Sequence, residues 1–97
     1  MIRSFGDRGT EDIYHGINSS RARKTLPRSL HKLAARKLDL LDGTETLHDL
    51  LVPPGNQLES LRGNLRGRYS IRINGQWRIV FKWEGTYAEE VQIMDYH

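Results

Sequence analysis

The sequence predicts an α+β domain in which two to three helices pack on one face of an antiparallel, mainly four-stranded meander. Apolar residues recur at helical spacing from residue 26 to residue 41, and after Pro53-Pro54-Gly55-Asn56 the period changes to two. The chain has 97 residues, 37% of them hydrophobic, which is room for one modest core, so residues 1–97 are read as one domain.

Residues 2–5 form a short apolar segment, read as an N-terminal edge strand. Residues 10–16 suit one or two helical turns. Residues 17–25 are polar and basic, and the sequence leaves their order open. Leu26, Leu30, Leu33, Ala34, Leu38 and Leu41 then share a helix face. Pro27 is tolerated in a first turn and Gly43 is a natural stop. Arg28, Lys32 and Arg36 form a like-charged row on another face of this helix, read either as a solvated face or as a binding row. Beyond the Pro-Pro-Gly-Asn turn, residues 57–61, 68–74, 77–83 and 88–96 are strand candidates. Turns containing Gly63, Gly67, Gly75 and Gly85 separate them.

Charge distribution says more than the net +3. Residues 21–37 carry seven basic residues and no acid, and residues 62–82 carry six and no acid. Such stretches suit a polyanion, although surface charge also keeps a small protein soluble. The absence of cysteine excludes a disulfide scaffold and a thiolate metal site. No segment approaches membrane-spanning length and no signal peptide is evident, so the expected location is the cytoplasm. His15, His31, His48 and His97 are scattered without metal-ligand spacing, so no metal or cofactor is expected.

Strand pairing locates the candidate chemistry. A two-residue loop at Asn74-Gly75 would pair Ile71 with Arg78 and mix apolar with charged residues. A three-residue loop pairs Ile73 with Trp77, Ile71 with Ile79 and Tyr69 with Phe81, and a buried face selects that register. The other face then sets Arg72 opposite Arg78, Ser70 opposite Val80 and Arg68 opposite Lys82. Neither strand holds an acid to relieve these like-charged pairs. That face reads as a phosphate cradle in preference to an ordinary wet face with splayed arginines. The chain ends on Asp95-Tyr96-His97, three residues capable of proton chemistry. Alternation places Tyr96 with Gln92 and Met94, and Asp95 and His97 with Val91 and Ile93. Which of the three reaches the basic face stays open.

Leu58-Glu59-Ser60-Leu61-Arg62-Gly63, Tyr69-Ser70-Ile71-Arg72-Ile73-Asn74, Gln76-Trp77-Arg78-Ile79 and Asp95-Tyr96-His97 together resemble the HigB branch of the RelE superfamily. The opening Met1-Ile2-Arg3-Ser4-Phe5 and Pro53-Pro54-Gly55-Asn56 match it too. The resemblance implies the toxin of a type II toxin–antitoxin system, cutting messenger RNA in the ribosomal A site without metal. A ribose 2′-OH would attack the adjacent phosphate, leaving a cyclic phosphate and a 5′-OH. This needs a base, an acid and cations for the pentavalent phosphate. Arg78 matches the family arginine that stabilises the transition state. Asp95, Tyr96 and His97 match the terminal catalytic group, and Arg62 matches a phosphate-contacting cation. Arg68, Arg72 and Lys82 join it as candidate RNA-binding residues from the pairing above. Some relatives carry a histidine three residues before Arg62, where this chain has Glu59. Proton transfer is therefore expected to fall more on His97 or Tyr96. The implied partner is a HigA-like helix-turn-helix antitoxin in a 2:2 complex, with operator DNA reached only through the antitoxin. The rival readings are a ParE-like gyrase inhibitor and a non-catalytic nucleic-acid-binding module.

Overall fold

The computed structural model describes residues 1–95. Asp7 opens α1 (Arg8–Tyr14) by accepting the Thr10 amide at 2.6 Å, a carboxylate satisfying one of the unpaired N–H groups of a first turn. Residues whose order the sequence left open form a second helix, α2 (Ser20–Thr25). The Ser19 Oγ caps it by accepting the Ala22 amide at 3.0 Å and donates its own proton to the Asp12 carboxylate at 2.5 Å. Arg21 grips the same carboxylate with Nε at 2.6 Å and Nη2 at 3.2 Å. α1 and α2 approach closely at Gly9, where a Cβ would lie 2.8 Å from the Arg21 carbonyl oxygen.

The Arg21 and Ser19 hydrogen bonds hold the Asp12 carboxyl below its ordinary value. Its contribution is therefore complete above the unfolded value of about 3.9 and disappears as pH falls through the lower folded value. Amide protection at residues 22–26, relative to the intrinsic exchange rate at each pH, is expected to fall on acidification below about pH 4. Asp12→Asn should bring the same loss at neutral pH; unchanged protection in that variant would remove Asp12 as the anchor of α2.

The third helix, α3 (His31–Asp42), begins later than the apolar period indicates. Leu26 precedes Pro27, and the proline ring disfavours helical backbone in the residue before it. Leu26 accordingly ends α2 in an extended conformation (φ −153°, ψ 138°), and a 3₁₀ turn, Arg28–Leu30, leads into α3. Leu26 is nevertheless fully buried beside Ala34, Leu38 and Leu41, so its place in the period reflects the core it joins and not a shared helix. Gly43 follows the last turn as expected.

The sheet is a four-stranded antiparallel meander of β1 (Glu59–Ser60), β2 (Arg68–Arg72), β3 (Trp77–Glu84) and β4 (Tyr87–Asp95), in chain order. The expected register is observed, with Arg72 opposite Arg78, Ile71 opposite Ile79, Ser70 opposite Val80, Tyr69 opposite Phe81 and Arg68 opposite Lys82. One face supplies Ile71, Ile73, Ile79, Phe81, Ala88, Val91 and Ile93 to a core completed by Ile13, Ala22, Leu38 and Leu41 of the helices. The N-terminal segment lies parallel to β4 through bridges from Ile2 to Ala88 and from Phe5 to Val91, without becoming a regular strand. No helix is long and apolar enough to cross a membrane among the described residues.

Candidate active site

The face of the sheet turned away from the helices carries the paired cations. Its centre is Arg78 on β3, only 6% exposed. Burying a guanidinium is costly unless its donors find oxygens. Here Nε donates to the Ser70 Oγ at 2.7 Å, and Nη2 donates to the Ser70 carbonyl at 3.3 Å and to the Gln57 carbonyl. Nη1 is the nitrogen turned toward Glu59, 3.9 Å from Oε1. β1 brings Glu59 there by pairing Glu59 with Ser70, itself fully buried. The result is a cation held at a fixed position beside a half-exposed carboxylate.

Two acids on neighbouring strands alter the expected charge of this face. Glu59 is one. The second is Glu90, which alternation from Met94 and Gln92 places on the same face. Beyond the Val80–Gln92 pair the next pairing is Lys82 with Glu89, so Glu90 and Val91 together face Phe81. This is a β-bulge, and Glu90 adopts a left-handed φ of 52° within it. The bulge lets Ala88 and Val91, three residues apart, both enter the core, while Glu90 stays on the cationic face. Glu90 lies 2.7 Å from the Lys82 Nζ and 3.6 Å from an Arg68 nitrogen. Hydrogen bonding and charge from Lys82 first, then Arg68, lower its carboxyl below the ordinary value. Residues 68–83 contain no acid, as read from the sequence, yet the face they form is partly neutralised from both sides.

The structure thus brings together Arg78, Glu59, Arg72, Arg68 and Lys82. Arg62 is exposed just beyond β1. Asp95 stands opposite Trp77 and accepts the Gln76 Nε2 at 3.0 Å, whereas Met94 stands opposite Arg78. Since Trp77 and Arg78 point to opposite faces, Asp95 sits on the face away from Arg78. Tyr96 and His97 lie outside the described residues. Sequence reasoning did not find the roles of Ser70, the Gln57 carbonyl or Glu90. Glu90 had a visible signal: two acids between apolar Ala88 and Val91 break a period of two.

A family model described as the RelE-like toxin of the type II toxin–antitoxin system HigB matches residues 3–97. The chain belongs to this HigB-like toxin family. It is 39% identical over 83 residues to Toxin HigB-1 of Vibrio cholerae serotype O1, covering 86% of this chain and 84% of that protein. It is also 44% identical over 61 residues to an uncharacterized protein of Haemophilus influenzae, covering 63% and 60%. Among solved structures, this HigB-like chain resembles YoeB in the YoeB–YefM complex from Staphylococcus aureus, with TM-score 0.59 and 20% identity over 100% of this chain and 98% of that one. The YoeB dimer from the same organism gives TM-score 0.57 and 19% identity over 99% and 97%. At these identities the structural likeness establishes the α+β fold, in agreement with the sequence prediction. The chain is a RelE/HigB-type toxin of a type II toxin–antitoxin system.

Proposed function

We propose that this toxin is an endoribonuclease that cuts messenger RNA in the ribosomal A site. The observation that carries this reading is the buried Arg78 guanidinium, fixed by Ser70 and Gln57 at the centre of a cationic sheet face. Cations fixed in advance stabilise a pentavalent phosphate without reorganising as charge develops. In this reading Arg78 meets the scissile phosphate, and Arg62, Arg68, Arg72 and Lys82 hold the neighbouring backbone phosphates. Glu59, Tyr96 and His97 are the candidates for proton transfer from the 2′-OH and to the leaving 5′-oxygen. Asp95, hydrogen-bonded to Gln76, is the third member of the candidate catalytic group at the C-terminus. The activity is masked in the cell by a HigA-like antitoxin, in a 2:2 complex that reaches operator DNA through the antitoxin.

Primer extension on a reporter message in a cell-free translation system tests this. The wild-type protein is expected to cut inside translated codons and to need ribosomes. His97→Ala should lower cleavage by about 10²-fold or more, the scale of a positioned acid or base. Growth arrest without any cuts would reject the nuclease reading and make purified gyrase the next target.

A further inference from the structure

Glu90 is bound where the proposed RNA backbone would lie. Its carboxylate contacts Lys82 and Arg68, the directly opposed cations at one end of the face. A residue with a side chain adopts a left-handed φ of 52° only at some cost, and the Glu90 amide is tied to the Ser4 Oγ at 2.9 Å. The bulge backbone therefore fixes where the Glu90 carboxylate meets these cations. We propose that Glu90 is an internal competitor for RNA phosphate, holding Lys82 and Arg68 until a phosphodiester displaces it and so setting how tightly the face binds RNA. This rests on the RNA-binding reading above and adds an affinity-setting residue to it.

The pair is half exposed, with side-chain accessibilities of 49% for Lys82 and 46% for Glu90. Surface ion pairs are weak enough for a phosphate to displace. Neutralising Glu90 should accordingly tighten binding by about two- to five-fold, the range such a pair can contribute. It should also steepen the salt dependence by about 0.7 in log–log slope, one phosphate contact on a single strand.

The test is fluorescence anisotropy with a labelled, uncleavable 2′-O-methyl oligoribonucleotide, comparing wild type, Glu90→Gln and Glu11→Gln across a salt series. Glu11 is an exposed acid on α1, so its variant has the same net charge as Glu90→Gln. Tighter binding by Glu90→Gln alone supports the proposal, as does a smaller gain when Lys82→Gln is already present. Equal affinities, equal gains in both variants or no binding by any protein would each overturn it. The cleavage assay separates the two readings. A gain for Glu90→Gln without cuts in translated messages rejects the nuclease and keeps the competitor; cuts without a gain do the reverse.

Discussion

Replacing Arg78 with alanine is expected to reduce cleavage of translated messages by about 10²–10³-fold, the loss typical of removing one fixed donor from a site of developing negative charge. The effect follows from how the guanidinium is held. Nε and Nη2 are committed to Ser70 and Gln57 oxygens, so the cation keeps its place whether or not RNA is bound. Arg78→Ala also strips donors from the Ser70 Oγ and two carbonyls, a stability cost of about 1–3 kcal/mol for each buried acceptor left unpaired. A thermal melt of each variant separates this cost from lost chemistry. Arg78→Lys sharpens the test, because it retains the charge and loses the planar fork that reaches Ser70 and Gln57 together. Cleavage should stay at least about 10-fold below wild type in a folded Arg78→Lys protein. Near wild-type cleavage by folded Arg78→Ala would remove Arg78 from the reaction.

Phe81→Ala should produce the largest loss of stability, about 3–5 kcal/mol for deleting a buried aromatic ring. Phe81 is fully buried, with its ring 6.3 Å from Tyr69 and 6.4 Å from Trp83 between centroids. It is also the residue that Glu90 and Val91 oppose across the bulge. For a domain of this length the loss corresponds to a melting temperature lower by about 15–30 °C. Because the cavity opens beneath the bulge, the Glu90–Lys82 contact should loosen as well. Phe81→Leu fills most of the volume and should retain more than half of the lost stability. A loss below about 1 kcal/mol in Phe81→Ala would mean that neighbouring side chains collapse into the space.

Most of the sheet was legible in advance. Apolar residues at Tyr69, Ile71, Ile73, Trp77, Ile79 and Phe81 line up only when the loop at Asn74 has three residues, and that register is the observed one. It also sets Arg78 opposite Arg72 and Lys82 opposite Arg68. Alternation through Val91 and Ile93 put Asp95 on the core side of β4, where Gln76 meets it. The resemblance grouped Asp95 with Tyr96, His97 and Arg78 as one catalytic set; the register puts Asp95 and Arg78 on opposite faces.

By itself, then, the sequence determined what depends on chain neighbours: strand register, the division of the sheet into an apolar and a cationic face, and the family. These follow from a period of two and a turn, both written within a few residues. Tertiary structure alone decided the rest. α2 is ordered because Asp12 of α1 anchors Arg21 and Ser19. α3 starts at His31 because Leu26 serves the core from an extended residue before proline. The cationic face is tempered by Glu59 and Glu90, brought in by β1 and by the pairing of β4 with β3. In each case the partner lies on another element, and charge compensation and burial depend on distance in space, which local periodicity does not encode.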